Sequence, residues 1–275
     1  MHSWNDLENA KLYDEFARKH TMYRETSRDL VELAQTAQAT TVVDLACGTA
    51  VSTEIILAQL REDATVVAID ASSAMVEIAQ RNVPDSRVQW VQADSSEVAN
   101  YVTDADAIIC NAAFWQMDMD ATLLACSKAL RPGGRFVFNI GRSFLMMRLT
   151  PEELRPSKPT FFQLIQAVAI LDHGFAPPHS AATSGPRRLR GPLTPDAMQE
   201  MITSVGLILD ATEEREYENP AEAQLDWISV PVFSDNVLPG MPHDQQLQVI
   251  RSAYERFDKD SVSRSRWLMF VTHRP

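Results

Sequence analysis

The sequence has few of the residues that stabilise small extracellular or metal-dependent proteins. It contains three cysteines in 275 residues, Cys47, Cys110 and Cys126, and no two of them form a Cys-x-x-Cys pair. A sparse, odd number of cysteines is typical of proteins that keep their thiols reduced, so we expect a cytoplasmic protein. The six histidines form no His-x-x-x-His pair, and we therefore expect no metal site.

Long apolar runs and positive charge are also scarce. No run of about 18 apolar residues occurs, so we expect no segment that crosses a membrane. The opening segment MHSWNDLENAKLYDEF lacks the basic and apolar regions of a signal peptide. Lys and Arg number 25 against 37 Asp and Glu, which gives a net charge of -12. An acidic surface repels phosphate backbones, and we expect no nucleic-acid partner.

Short apolar runs alternate with helical patterns between residues 40 and 140. With 45% hydrophobic and 23% charged residues, the composition is that of a globular protein. The apolar runs predict strands over 41–46, 64–70, 87–93, 105–111 and 135–140, the last of them after a turn at Pro132-Gly133-Gly134. Two further strands are predicted later in the chain, over 207–217 and 267–272. Helices are predicted over 52–60, 72–82 and 119–130. This alternation predicts an α/β fold with a parallel, Rossmann-like sheet.

The predicted core is interrupted twice by other segments. We divide the chain into a helical lid (1–39), a Rossmann core (40–140), a proline-rich cap insertion (141–192), a core helix and strand (193–218), a helical insertion (219–262) and a final core strand (263–275). Thr194 and Pro195 mark the start of one helix, as N-cap and first-turn residue. We expect the lid and both insertions to cover the carboxyl edge of the sheet, where such folds bind ligands.

Acidic residues stand at the ends of the first three predicted strands. Asp44 is followed by a loop of small residues, which lets a ligand approach the backbone closely. Asp70 lies 22 residues beyond Gly48, where a carboxylate can accept both hydroxyls of a ribose. Asp94 follows the third strand and can meet an adenine amino group. Because the first loop contains only Gly48, it lacks the Gly-x-Gly-x-x-Gly turn of nicotinamide-dependent oxidoreductases.

Five segments in this order resemble the motifs of class I S-adenosylmethionine-dependent methyltransferases. They are DLACGTA, VVAID, VQADSS, DAIICNAAFWQM and LRPGGRFVF, and the resemblance covers residues 40–140. It implies a seven-stranded sheet whose last strand is antiparallel, and S-adenosylmethionine as the cofactor. The sequence departs from the first motif at Ala46 and Ala50, where glycines are common.

The resemblance also implies which residues contact the cofactor. Its methionine part is assigned to Asp44, Ala46, Gly48 and Thr49, with Asn111 and Ala112 beneath the amino-acid end. Its ribose and adenine are assigned to Asp70, Ala71, Met75, Asp94 and Ser95. Tyr13 and Tyr23, on the helical lid, are expected to close the site from above.

Four residues are candidates for a part in the reaction: His20, Tyr23, Trp115 and Asn139. Methyl transfer is an in-line substitution that depends on positioning, and a base helps when the nucleophile is a hydroxyl or an ammonium. His20 lies in the lid region, and Asn139 interrupts an otherwise apolar strand. The ring of Trp115 suits contact with a cation and equally suits packing in the core. Tyr217 is a further candidate base.

The sequence favours a methyltransferase that acts on a small molecule and releases S-adenosylhomocysteine. The large insertions suit an enclosed site, and Asn111-Ala112-Ala113-Phe114 stands where enzymes that methylate bases or protein glutamine have an Asn-Pro-Pro-Tyr sequence. One alternative is intramolecular cyclisation of S-adenosylmethionine to azetidine-2-carboxylate, with release of methylthioadenosine. A binding protein without catalysis is another. The apolar cap allows either a monomer or a homodimer.

Overall fold

The strands and helices follow the predicted alternation closely. The computed structural model describes residues 2–147, 158–176 and 193–275. The strands are β1 (Thr41–Leu45), β2 (Thr65–Asp70), β3 (Val88–Gln92), β4 (Ala105–Cys110), β5 (Leu130–Gly141), β6 (Ile208–Pro220) and β7 (Val262–His273). The helices are α1 (Leu7–Lys19), α2 (Met22–Ala34), α3 (Val51–Gln59), α4 (Ser73–Asn82), α5 (Met119–Ala129), α6 (Phe161–His173), α7 (Pro195–Ser204), α8 (Ala221–Ser229), α9 (Pro231–Val237) and α10 (His243–Arg256).

The described strands form one sheet of seven strands in the order β3-β2-β1-β4-β5-β7-β6. Strands β1 to β5 pair in parallel, and β7 runs antiparallel to β5. The predicted Rossmann-like α/β fold with an antiparallel last strand is therefore confirmed. From β1 the chain proceeds to β2 and β3 on one side and then crosses to β4 on the other side, so the strand order reverses between β1 and β4. Open α/β sheets bind ligands beside such a reversal, at the carboxyl ends of the strands.

Central strands are apolar on both faces because helices cover both sides of the sheet. In β1, Val42, Val43 and Leu45 are fully buried. On one face, the rings of Phe136 and Phe138 stack with centroids 4.8 Å apart, and Phe270 stacks on Phe138 at 5.0 Å. This aromatic cluster holds β5 and β7 together. It fixes the two strands whose ends lie next to the candidate site.

Strand β5 begins five residues before the predicted start. The Pro132-Gly133-Gly134 sequence, which we expected to form a turn before the strand, lies within it as an irregularity in its pairing with β4. Gly133 has a φ of +75°, and its N–H donates to the carbonyl of Arg274 at 2.7 Å. These residues stay in the strand because the end of the chain supplies their backbone partners.

Strand β7 is also longer than its apolar run. Trp267 to Thr272, the predicted strand, is the buried part, and the preceding residues from Val262 alternate between exposed and half-buried. An apolar run marks only the portion of a strand that is covered on both faces. Strand β6 likewise extends to Pro220, beyond the predicted end at Tyr217.

The chain separates into two compact units. The sheet unit comprises His20–Met147, Pro186–Tyr217 and Ser265–Pro275, and the helical unit comprises Met1–Lys19, Arg148–Gly185 and Glu218–Arg264. In the helical unit, Phe161 and Ile165 of α6 share a buried cluster with Val249 and Ile250 of α10. Thr160 and Gln163 form a capping box that starts α6. Among the described helices, none has the length and apolar content needed to cross a membrane.

Candidate active site

Asp44 is fully buried at the end of β1, and its carboxylate holds the start of α3. Ser52 Oγ donates to both carboxylate oxygens at 2.7 and 2.9 Å, and Thr53 Oγ1 donates to Oδ2 at 2.5 Å. Burial raises the pKa of Asp44 to about 6, although the hydrogen bonds from Thr53 and Ser52 lower it in part. The side chain thus ties the first loop to the helix that follows.

The backbone of this first loop turns through left-handed conformations. Ala46, Gly48 and Ala50 have φ values of 57°, 52° and 79°. An L-residue with a Cβ is strained in this region, whereas glycine is not. The two alanines at which the sequence departs from the first motif are therefore strained. Their methyl side chains add little bulk to the loop.

Asp70 connects the first loop to the end of β2. Its Oδ2 accepts the N–H of Gly48 at 2.9 Å, and its Oδ1 accepts the N–H of Ser72 at 2.8 Å. An ionised carboxylate offers about four lone-pair sites, so each oxygen keeps capacity for a further donor. Desolvation raises the pKa of Asp70, and the two backbone hydrogen bonds counter that rise. Asp70 is partly exposed and can present its remaining capacity to a ligand.

The residues predicted to surround an adenine ring lie where α4 and the next turn begin. Ser72 caps α4 by accepting the N–H of Met75 at 3.1 Å; Met75 is buried and Ala71 is exposed. Asp94 is exposed and caps the short helix Ser95–Asn100 by accepting the N–H of Ser96 at 2.9 Å. The Ser95 hydroxyl lies 2.8 Å from that of Thr122 on α5, in the core.

A network of amide side chains joins the ends of β4 and β5. Asn139 has no exposed surface; its Oδ1 accepts the N–H of Ala112 at 2.6 Å and its Nδ2 donates to Asn111 Oδ1 at 2.8 Å. Asn111 Nδ2 donates in turn to the Tyr23 carbonyl at 3.1 Å and to Ser27 Oγ at 2.8 Å. The structure thus brings together three predicted residues, Asn111, Ala112 and Asn139. Sequence reasoning missed Ser27, which looks like an ordinary helical serine.

The positions of four further predicted residues do not by themselves show what each does in the site. Tyr23 is 9% exposed and contributes its carbonyl to the amide network. His20 precedes α2 and is half-buried. Thr49 is buried, and its backbone carbonyl accepts a hydrogen bond from the Asn82 side chain at 3.0 Å. Tyr13 lies on α1 in the helical unit, with its ring edge-on to Trp4. The roles of these residues stay predictions.

Trp115 belongs to an aromatic group at the carboxyl end of β5. Its ring stacks on that of Phe144 with centroids 4.4 Å apart, and it lies 5.5 Å from the ring of Trp267. Phe144 is 48% exposed, whereas the neighbouring Phe114 is fully buried against Phe136 and Phe138. Phe114 is therefore a core residue, and Trp115 lies between the core and the surface.

Tyr217 is poorly suited to act as a base. Its hydroxyl donates to Asp29 on α2, and Asp29 also pairs with Arg215 at 2.6 Å. Burial and the neighbouring Asp29 carboxylate raise the pKa of Tyr217, so the phenol stays protonated. In the described residues no group of three or more His, Cys, Asp or Glu is arranged to hold a metal ion. Arg187, Arg188 and Arg190, a basic cluster in the sequence, lie outside the described residues.

The three cysteines are free and buried. Cys47 lies in the first loop, and Cys110 and Cys126 lie in the core. Burial raises the pKa of all three thiols, so they are neutral at physiological pH. They have no role as nucleophiles in the arrangement described.

Comparison with known proteins agrees with this geometry. Residues 42–134 match a family model described as a methyltransferase domain. Over these residues the chain is similar to methyltransferase domains. The resemblance inferred from the five sequence motifs is confirmed, and the match covers the loop at Asp44, the carboxylate of Asp70 and the amide of Asn111.

Two curated relatives match about half of the chain. Trans-aconitate 2-methyltransferase from Azoarcus sp. (strain BH72) is 33% identical over 157 residues, which are 55% of this chain and 58% of the relative. Malonyl-[acyl-carrier protein] O-methyltransferase from Priestia megaterium (strain DSM 319 / IMG 1521) is 28% identical over 135 residues, 48% of this chain and 47% of the relative. The chain thus spans about half the length of the curated relatives it matches.

A solved structure shows that the shared fold extends beyond the matched domain. Geranyl diphosphate methyltransferase in complex with S-adenosylmethionine has a TM-score of 0.54 and 14% sequence identity. The superposition covers 97% of this chain and 90% of that chain. At this identity the likeness concerns the fold alone.

Proposed function

We propose that this chain binds S-adenosylmethionine at the ends of β1 to β4 and transfers its methyl group to a small molecule, releasing S-adenosylhomocysteine. The observation that carries the proposal is the position of Asp70. Its carboxylate fixes the first loop through Gly48 and the start of α4 through Ser72, at 2.9 and 2.8 Å. It keeps lone pairs for two ribose hydroxyls, as expected of an acidic residue at the end of the second strand.

The residues present fit this cofactor. Small residues at positions 46 and 48 leave the partly exposed backbone of the loop open to a ligand, and the exposed Asp94 carboxylate offers an acceptor for an adenine amino group. When bound, S-adenosylmethionine supplies a methyl group attached to a cationic sulfur. The chain has to orient a nucleophile in line with that group and to exclude water, and such positioning accounts for much of the acceleration.

Asp44 and Asn139 serve this site as positioning residues. Neither side chain has exposed surface, and the hydrogen bonds of each are directed to other parts of the protein. Asp44 sets the first loop relative to α3, and Asn139 sets the backbone of Ala112 relative to β5. Contact between Asn139 and the reacting groups stays a prediction, and its burial and hydrogen bonds favour the positioning role.

Small carboxylic acids are the acceptors to test first. The two curated relatives are named for trans-aconitate and a malonyl group, and both compounds carry free carboxylates. A carboxylate oxygen is ionised at neutral pH and needs no general base to attack a methyl group. His20 and Tyr23 then serve to orient the acceptor rather than to remove its proton.

Two measurements test the proposal. Calorimetry with S-adenosylhomocysteine tests binding, and a protein that does not bind it contradicts the proposal. Mass spectrometry after incubation with S-adenosylmethionine, first alone and then with a panel of small carboxylic acids, tests the chemistry. A product 14 mass units heavier than an acid, a gain of about one CH₂ as expected for methyl transfer, supports it. Methylthioadenosine and azetidine-2-carboxylate from the cofactor alone establish the cyclisation instead.

A further inference from the structure

The loop between β1 and α3 is held by side chains from two other elements of the sheet unit. Asp70, at the end of β2, accepts the N–H of Gly48 at 2.9 Å. Asn82, the last residue of α4, donates from its Nδ2 to the backbone carbonyl of Thr49 at 3.0 Å. These partners lie 22 and 33 positions away in the chain. The shape of the loop therefore depends on distant residues as well as on its own sequence.

The two contacts restrain the peptide groups on either side of the Gly48–Thr49 peptide. The N–H of Gly48 belongs to the peptide group before it, and the carbonyl of Thr49 belongs to the peptide group after it. Because peptide groups are planar, a hydrogen bond to one atom restrains the orientation of the whole group. Asp70 and Asn82 thus limit the conformations of the peptide between them, which lies in the segment assigned to the methionine part of the cofactor.

The backbone of this loop needs such restraints because part of it is strained. Ala46 and Ala50 have φ values of 57° and 79°, and strained conformations persist only where the surrounding structure holds them. Thr49 is 1% exposed, so bulk water does not readily replace Asn82 as a donor to its carbonyl. A loop that has lost this bond can relax, and a ligand then has to restore the original shape. That requirement lowers the affinity of the ligand.

We infer that Asn82 is a positioning residue of the cofactor site, and that its bond to Thr49 holds the Gly48–Thr49 peptide ready for the amino-acid end of S-adenosylmethionine. The inference rests on the proposed function and extends it to a residue that acts through the loop. Adenine and ribose are assigned to other residues, chiefly Asp70 and Asp94. Loss of the Asn82 bond should therefore affect the amino-acid end of a ligand much more than its adenosine part.

Two ligands separate these parts of the site. S-adenosylhomocysteine carries the amino-acid end, whereas methylthioadenosine lacks it and keeps the adenine and the ribose. Asn82→Asp preserves the size of the side chain, but an ionised carboxylate does not donate and repels the Thr49 carbonyl. We expect calorimetry to show binding of S-adenosylhomocysteine at least about fivefold weaker, which corresponds to one hydrogen bond of about 1 kcal/mol. Binding of methylthioadenosine should stay within about twofold of the wild type, a difference of about 0.4 kcal/mol.

Gln80→Glu is the matched control. Gln80 is exposed in the same last turn of α4, so this variant makes the same change from amide to carboxylate and adds the same charge near the same helix end. It should bind both ligands as the wild type does. Asn82→Ala removes the donor without adding a charge and should give a smaller, equally selective loss. This second variant keeps the test available if Asn82→Asp does not fold.

The results distinguish this inference from the proposed function. If the wild type binds S-adenosylhomocysteine and the Asn82 variants bind it equally well, the inference is wrong and the proposed function is unaffected. Equal weakening of both ligands also overturns it, because Asn82 would then support the whole site rather than the loop. If the wild type does not bind S-adenosylhomocysteine, the proposed function itself fails, whatever the variants show.

Discussion

The amide of Asn139 donates to the carbonyl oxygen of the Asn111 side chain at 2.8 Å, and this bond joins β5 to the end of β4. Asn111 passes the connection on to α2 through Ser27 at 2.8 Å. The loop after β4 is therefore held by side chains from both sides. Its position depends on a chain of polar contacts rather than on apolar packing.

Replacing Asn139 tests this network. Asn139→Ala leaves the N–H of Ala112 and the oxygen of Asn111 without their partner, so we expect the free energy of unfolding to fall by about 2–4 kcal/mol. Urea unfolding measures the loss. A double-mutant cycle with Asn111→Ala should give a coupling energy of at least about 0.5 kcal/mol. Additive effects would show that the two amides act independently.

Replacing Asp70 tests the cofactor site. Asp70→Ala removes the carboxylate that we propose accepts the ribose hydroxyls, so we expect affinity for S-adenosylhomocysteine to fall by about 1.5–3 kcal/mol. Calorimetry measures the change. Asp63→Ala removes an exposed carboxylate that pairs with Arg61 before β2; it is the control and should bind as the wild type does. Unchanged affinity in Asp70→Ala would remove this residue from the site.

The strained alanine in the first loop gives a prediction of increased stability. Ala46 is half-buried and has a φ of 57°, a conformation that glycine adopts without strain. Ala46→Gly should therefore raise the free energy of unfolding by about 1 kcal/mol in chemical denaturation. Ala167→Gly, on the exposed face of α6, should lower it by about 0.5–1 kcal/mol. A loss of stability in both variants would mean that the loop is not strained at Ala46.

Burial of Asp44 makes the free energy of unfolding depend on pH. Its pKa in the folded protein is about 6, against 3.8 ordinarily, so the folded state retains this proton more strongly than the unfolded chain. Its contribution to stability is fully present below pH 3.8 and is lost as the pH rises through 6. The loss of stability amounts to about 3 kcal/mol.

Asp44→Asn removes this titration, and amide and hydroxyl groups can still pair with each other. Relative to the wild type, the variant should therefore gain stability as the pH rises from about 4 to about 7. Urea unfolding across that range measures the difference, and Asp63→Asn serves as the exposed control. Parallel pH profiles for Asp44→Asn and the wild type would contradict the raised pKa.

The sequence predicted the framework of the sheet unit well because its central strands β1, β2 and β4 are short, apolar and largely buried. Asp44, Asp70 and Asp94 could be placed because each stands within two residues of the end of a predicted strand. The start of β5 could not be predicted, since Pro132, Gly133 and Gly134 form a turn in most contexts. Here their backbone partners come from Arg274, far along the sequence.

Side-chain roles were harder to predict than positions. Asn139 is an isolated polar residue on an apolar strand, and sequence alone does not distinguish a residue that contacts substrate from one that binds a neighbouring loop. Tyr217 posed the same difficulty, and its partner Asp29 lies 188 residues earlier in the chain. The role of each residue depends on which distant residue the fold brings into contact with it, and a local sequence pattern does not contain that information.

The burial of the three thiols has a consequence for handling the protein. Peroxides and alkylating reagents attack the thiolate form of an accessible cysteine, and Cys47, Cys110 and Cys126 are neither ionised nor accessible. These cysteines can therefore be modified only when the structure around them opens. Of the three, Cys47 lies in the first loop, so its rate of alkylation with and without S-adenosylhomocysteine measures how often that loop opens.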